Sequence, residues 1–335
     1  MSRAWSFDEF GLEHLKLVDV DEPAPGPGQV KLRVKAASLN FRDTLMVAGK
    51  YDPRVPRPLV PLSDGVGEVV AVGEGVERVA VGDRVAATFT PKWIAGPPER
   101  ALIRATRGGP LPGMLAEERT LSAEGVVKVP AHLGDAEAAT LPCAALTAWS
   151  SLVTEGGVTA GQTVLVQGTG GVSIFALQLG VILGARVIVT SSSDEKLAQA
   201  KELGAFATIN YREDESWGKT AAELVGGVDH VIEVGGAKTL EQSLRAVKPG
   251  GTISLIGILS GTTAPIPLTK ILMNQVRVQG ILVGHRAGFE AMNRAVEAHA
   301  LKPVVDRVFP FEEAPEAFRY LQSGAHFGKV VIATS

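Results

Sequence analysis

The stretch VLVQGTGGVSIFALQLG, residues 164–180, decides the fold. Its opening apolar run predicts a strand, its closing apolar run predicts a helix, and between them stand Gly168, Thr169, Gly170 and Gly171. Gly168 permits a tight turn and Gly170 lets backbone approach a pyrophosphate. The helix that begins near Gly171 and Val172 turns its free N–H groups and positive dipole end toward the phosphates. Ser173 stands where a third glycine is usual, so the match to G-x-G-x-x-G is imperfect, although a small Ser still permits close helix–strand contact. Taken alone such a loop reads equally as an ordinary turn; its place between a strand and a helix makes it a dinucleotide site.

Working outward, short apolar runs alternate with helical patterns. Strands are predicted at Thr163 to Gln167, Arg186 to Thr190, Thr208 to Asn210, His230 to Val234 and Thr252 to Ile256. The segment VSIFALQLGVILG (172–184) is apolar nearly all round, as for a helix packed on a sheet, and SDEKLAQAKELG (193–204) starts with a Ser/Asp cap and stops at a glycine. Parallel strands with helical crossovers make a doubly wound α/β sheet. Before it, QVKLRVKAASLN (29–40), the DGVGEVVAVGEGV run and GDRVAATF (82–89) read as a mainly β segment. Residues 91–118, rich in Pro and Gly, read as a lobe over that segment's surface. From about Val276 the pattern returns to strand, helix, strand, which suggests that the C-terminus completes the first domain.

The end of the second strand distinguishes the two dinucleotides, because an NAD site wants a carboxylate there for the ribose 2′-OH. VIVTSSSDEK (187–196) offers Ser191 at that position, Ser192 and Ser193 as further hydroxyls, and Lys196 one turn on, where it can face a 2′-phosphate. Asp194 and Glu195 weigh the other way, yet they read as acids at a helix N-terminus. The cluster favours NADPH.

The composition narrows the function classes. A formal charge of −3 with no Lys/Arg run offers no field for nucleic acid. The single cysteine, Cys143, excludes an internal disulfide and a several-thiolate zinc site, and suits a cytoplasmic location. No apolar stretch approaches the roughly 20 residues needed to span a bilayer, so no membrane role is expected.

AASLNFRDTLMVAGKY (36–51), SDGVGEVVAVGEGV (63–76), GDRV (82–85), LPCAALTAW (141–149), GTGGVS (168–173), NYRED (210–214), KPGG (248–251) and HFGKVVI (326–332) follow one another in an order that resembles the medium-chain dehydrogenase/reductase superfamily, specifically its quinone-oxidoreductase-like branch. That resemblance implies a Rossmann domain, placed at 125–266, inserted into a GroES-like mainly β substrate domain formed by 1–124 and 267–335. It further implies hydride transfer in a cleft and a homodimer or homotetramer. Zinc alcohol dehydrogenases of the superfamily hold their metal with Cys, His and Cys; the matching positions look like Asn40, Ser63 and Cys143, so one thiol survives and no metal is expected. Asp64 beside Ser63 is a hard ligand in principle, but reads better as a structural acid. The four-cysteine lobe is also missing, and 91–118 takes its place.

By the same resemblance Asn40 and Thr147 line the nicotinamide pocket, and Tyr51 in VAGKYDP sits where related enoyl reductases carry a tyrosine that donates to a developing enolate; a packed loop aromatic is the competing reading. Further cofactor contacts implied are Tyr211, Gly235, Ile256, Gly257, Ile258, Ile281, Leu282, Val283, Phe327 and Lys329. Lys329 reads equally as a solvated charge beside a strand. Arg42 and Asp43 shape the cleft or form a local ion pair or cap. His285 and Arg286, placed after VG at an expected strand end, either reach an anionic substrate or proton relay or pack. The other histidines have no metal spacing, while Trp93 and Trp149 read as packing residues, Trp149 near enough to Thr147 to narrow the pocket.

Without a Lewis acid, hydride delivery to an electron-poor acceptor stays feasible while alcohol oxidation becomes difficult. The expectation is an NADPH-dependent reductase of a small electrophilic substrate, a quinone or an α,β-unsaturated carbonyl. An alcohol/aldehyde dehydrogenase with metal at Cys143 and Asp64, and a non-catalytic NADPH-binding structural protein, are the competing classes.

Overall fold

The computed structural model describes residues 2–334 and divides into two compact units. One runs through Leu146 and resumes at Gly284; the other is Thr147–Val283. In the second, the six strands Thr163–Gln167, Arg186–Ser191, Ala207–Asn210, Val228–Glu233, Val247–Leu255 and Arg277–Gly280 form one parallel sheet. Taken in chain order their spatial order is 3-2-1-4-5-6, the doubly wound arrangement with its reversal at the first strand. All five predicted strands are present. The sixth, Arg277–Gly280, lies at the edge beside Val247–Leu255.

The helix Gly171–Ile182 buries Ile174, Phe175, Ala176, Leu177 and Leu179. Gly180 brings it close to the second strand: a Cβ there would lie 2.8 Å from Val187 Cγ2. Ser193 caps the next helix, Asp194–Glu202, its hydroxyl accepting from the Lys196 N–H at 3.4 Å. Both follow the expected pattern, except that Val181 leaves the first helix partly exposed on one side.

The first unit holds a seven-stranded sheet in which Gln29–Ser38 pairs antiparallel with Asp64–Val72, with Glu118–Ser122 and with Lys329–Ala333. Its core gathers Leu32, Val34, Leu39, Met46, Val69, Met114, Phe318 and Ile332. The C-terminal residues do complete this unit, as expected. The breaks differ from the expected ones because pairing decides them. Val126–Lys128 pairs with Arg84–Ala87, which keeps 125–146 with the first unit, and Arg277–Gly280 keeps 267–283 with the second.

The 91–118 segment is also not merely a surface lobe. Met114, Leu115 and Ala116 are fully buried, and the Gly113 and Met114 N–H groups bond the Val60 and Leu62 carbonyls at 2.7 and 2.8 Å. An apolar run hidden behind Pro and Gly carries no periodicity of its own, so only the partner strand reveals it.

Candidate functional site

In the second unit the glycine loop has the predicted shape. Gly168 adopts φ 72°, which glycine tolerates at no steric cost, and its N–H bonds the Thr190 carbonyl at 2.7 Å. Thr169 is buried. Gly170 is extended and caps the helix that starts at Gly171. Ile174 reaches back to the Gly170 carbonyl at 3.0 Å, leaving the N–H groups before it, those of Gly171, Val172 and Ser173, without an intrahelical acceptor. Such a terminus fits a pyrophosphate. Ser173 does more than stay small: its hydroxyl donates to the Gln167 carbonyl at 2.7 Å and ties the helix to the strand end.

Ser191 ends the second strand and is buried, its carbonyl accepting from the Tyr211 N–H at 3.0 Å and its hydroxyl from the Ser193 N–H at 3.4 Å. Ser192 follows it half-buried, and Tyr211 is exposed. Asp194 and Glu195 lie in the first turn of helix Asp194–Glu202, as read from the sequence, and the Asp194 carboxylate accepts from the Asn210 amide at 2.8 Å. Gly235, Ile256, Gly257 and Ile258 follow the carboxyl ends of the fourth and fifth strands, and Ile281, Leu282 and Val283 follow the sixth. Gly235 and Gly257 are needed for close approach: a Cβ would fall 2.2 Å from Thr239 Oγ1 and 2.3 Å from the Val234 carbonyl, respectively. Thr147 is buried in the same unit, its carbonyl accepting from Ser151 at 2.8 Å.

A residue the sequence reading passed over organises these loops. Glu233 is fully buried and accepts from Gln167 Nε2 at 2.7 Å, Thr239 Oγ1 at 2.6 Å, the Gly235 and Gly236 N–H groups at 2.8 and 2.9 Å, and Ser243 Oγ. Gln167, the residue before Gly168, also accepts from the Val234 N–H at 3.2 Å. One carboxylate thereby joins the end of the first strand to the turn after the fourth. An acid inside the apolar run VIEVGG was the available signal.

The first unit holds a second cluster. Helix Phe41–Val47 opens with Asp43 reaching back to the Asn40 N–H at 2.8 Å, a capping arrangement that fixes Asn40. Asn40, Ser63 and Asp64 form a chain: the Asn40 amide donates to Ser63 Oγ at 3.4 Å, and the Ser63 hydroxyl donates to Asp64 Oδ1 at 2.8 Å. The Cys143 N–H donates to Asp64 Oδ2 at 3.3 Å. Lys329 closes the circuit. Its Nζ donates to Asn40 Oδ1 at 2.6 Å and the Leu39 carbonyl at 2.5 Å, and lies 3.8 Å from Asp64 Oδ2. Only 3% of Lys329 is exposed, so the solvated-charge reading is wrong. The cause is strand register: Val331 pairs with Ser38, and the Leu39 N–H bonds the Val330 carbonyl, which carries Lys329 to Asn40.

Burial pushes the Asp64 carboxyl up, while the Lys329 ammonium pulls it back. Burial, with Asp64 adding to it, drives the Cys143 thiol upward toward its neutral form. A catalytic zinc site needs about three ligands of the thiolate, imidazole or carboxylate kind and an open position. Here an amide, a hydroxyl and a cation stand around one carboxylate, and among the described residues no group of three or more His, Cys, Asp or Glu is placed to hold a metal. The residues do not fit zinc.

Tyr51 is 48% exposed, with the Arg42 guanidinium 4.8 Å from its ring centre. Arg42 is itself fixed by the Arg107 and Gly109 carbonyls at 3.0 and 2.6 Å and by Thr106 Oγ1 at 2.9 Å, so Tyr51 is a ring on a cationic support rather than a core aromatic. Phe327 is buried, its N–H bonded to Asp306 at 3.1 Å. His285 and Arg286 do not end a strand. His285 caps helix Arg286–Ala298, accepting from the Gly288 N–H at 2.8 Å, and Arg286 pairs with Glu124, so both have structural partners.

A family model described as alcohol dehydrogenase GroES-like domain matches residues 26–131, and one described as zinc-binding dehydrogenase matches 171–298. A zinc-type alcohol dehydrogenase-like protein of Schizosaccharomyces pombe is 44% identical over 331 residues, covering 96% of each chain. An acryloyl-coenzyme A reductase of Sulfurisphaera tokodaii is 28% identical over 95% of this chain and 96% of its own. Among solved structures, an NAD-dependent alcohol dehydrogenase superposes with TM-score 0.91 at 36% identity, over 99% of this chain and all of that one. A mycobacterial protein complexed with NADPH superposes with TM-score 0.83 at 29% identity over the whole of both.

Proposed function

The chain belongs to the medium-chain dehydrogenase/reductase superfamily, and from that premise we propose that it is an NADPH-dependent oxidoreductase that delivers hydride to a quinone or an α,β-unsaturated carbonyl without catalytic zinc. The observation that carries the proposal is the Lys329 ammonium bonded to Asn40 and facing Asp64, where zinc-dependent members need ligands. An acceptor that is already electron-poor needs no Lewis acid. The acryloyl-coenzyme A reductase among the relatives, whose name describes an activated alkene, is in keeping with such an acceptor.

Bound at the glycine loop, the reduced nicotinamide cofactor supplies a hydride. The N–H groups at the start of helix Gly171–Ile182 hold the pyrophosphate, and Ser191, Ser192 and Lys196 receive the 2′-phosphate. Tyr211, Gly235, Ile256, Gly257, Ile258, Ile281, Leu282, Val283 and Phe327 line the cofactor, and Asn40 and Thr147 orient the nicotinamide. Lys329, proposed from the resemblance as a cofactor contact, acts instead through Asn40. The Tyr51 hydroxyl donates the proton to the enolate that hydride addition leaves, its ring held against the Arg42 guanidinium.

The assembly proposed is a homodimer or homotetramer in the cytoplasm. The edge strand Arg277–Gly280 and the exposed Leu268, Leu272 and Met273 before it offer an apolar face for a second copy. Among the described residues no helix is long and apolar enough to cross a membrane.

The competing reading, a zinc alcohol dehydrogenase, draws on the names of the relatives. NADPH oxidation by chelator-treated protein with a quinone, an enone and an aldehyde in parallel tests the two: the proposal expects turnover with the first two, and zinc-restored turnover of the aldehyde alone would favour the other.

A further inference from the structure

Lys329 makes an unusual pair of commitments for a lysine. Its ammonium is taken out of water and given two carbonyl-type acceptors, Asn40 Oδ1 and the Leu39 carbonyl, with the Asp64 carboxylate 3.8 Å away. A buried charge of this kind persists only when it is paired and its donors are satisfied. Asp64 is in the complementary position: fully buried, bonded to Ser63 Oγ and the Cys143 N–H, and short of one positive charge without Lys329. Asn40 and Ser63, which match zinc-ligand positions of the superfamily, are both spent inside this circuit.

We infer that the Lys329 ammonium is the built-in cation of this cluster, standing in the charge balance where zinc-dependent members carry a metal, and that it closes the cluster to divalent ions. The inference rests on the metal-free reading and deepens it by naming the group that takes the metal's part. Lys329 is a positioning residue: by holding Asn40 Oδ1 it turns the amide Nδ2 toward Ser63 Oγ. Asn/Gln orientation is otherwise ambiguous, but an ammonium can only face the oxygen.

The test uses the full chain as wild type, Lys329→Met, Lys329→Arg and Lys329→Met/Asp64→Asn, each dialysed against cobalt(II) and then washed. Metal content, melting temperature and thiolate-to-cobalt absorption from Cys143 are read. Lys329→Met is expected to retain about one cobalt ion per chain and to melt higher with cobalt than without, because a ligand that binds the folded state stabilises it. The double variant, wild type and Lys329→Arg are expected to retain none. Absence of cobalt from a folded Lys329→Met overturns the inference while leaving the metal-free reading intact. Stoichiometric cobalt in wild type overturns the metal-free reading itself.

Should Lys329→Met fail to fold, the charge pairing is read from the double variant. Its buried groups are both neutral, so it is expected to fold where Lys329→Met alone does not. A double variant that also fails to fold contradicts the pairing.

Discussion

Asp43 lies fully buried with Oδ2 bonded to the Asn40 N–H and Oδ1 without a hydrogen bond among the described residues, 3.9 Å from Arg42 Nη1. Burial pushes its carboxyl up to about 6, against the opposing pull of Arg42. A carboxyl whose folded value exceeds its unfolded 3.8 keeps its proton longer in the folded state, so stability falls as pH rises between those values. Denaturant unfolding across pH 4–7 should show that fall, amounting to roughly 2–3 kcal/mol from this group, and Asp43→Asn should flatten it. An unchanged profile in the variant would remove Asp43 as its source.

Ser191→Asp tests the other end of the chemistry. A carboxylate at the close of the second strand should lower the NADPH-over-NADH ratio of kcat/KM by roughly tenfold or more, measured with one acceptor. The serine cluster was legible because cofactor choice hangs on residue type at one turn. Lys329 was not legible: HFGKVVI gives a charge at the start of a strand, and only antiparallel pairing with a strand some 290 residues away brings it to Asn40.

At the scale of elements, the turn after Val228–Glu233 depends on Glu233. Glu233→Ala takes the acceptor from the buried Gly236 N–H and leaves the Gly235 N–H and Gln167 Nε2 with one bond each, to Gln167 Oε1 and Ser243 Oγ. A loss of roughly 1–3 kcal/mol is expected in chemical unfolding. NADPH should also bind more weakly, since Gln167 and Gly168 are adjacent. Normal cofactor affinity in a folded Glu233→Ala would separate this network from the loop. The five strands and the glycine-rich turn were readable because their period and punctuation are local. Helix Arg286–Ala298 was misread at its start, since the His285 cap is a side-chain bond that apolar pattern does not register.

At the scale of the whole molecule, the inserted order of the two units was visible from motif order, while their breaks were not. Strand pairing, which assigns 125–146 and 267–283, is a long-range property. The exposed edge strand gives an assembly prediction: Val278→Lys, on the outermost strand, should shift the protein toward monomer in light scattering, and an unchanged mass would place the interface elsewhere.

The central claim is hydride transfer from NADPH with no metal, and the most direct measurement is NADPH oxidation by protein treated with chelator and verified free of zinc. Steady turnover with an enone or quinone, unaffected by added zinc, is the expected result. Turnover confined to the aldehyde and restored only by zinc would contradict it.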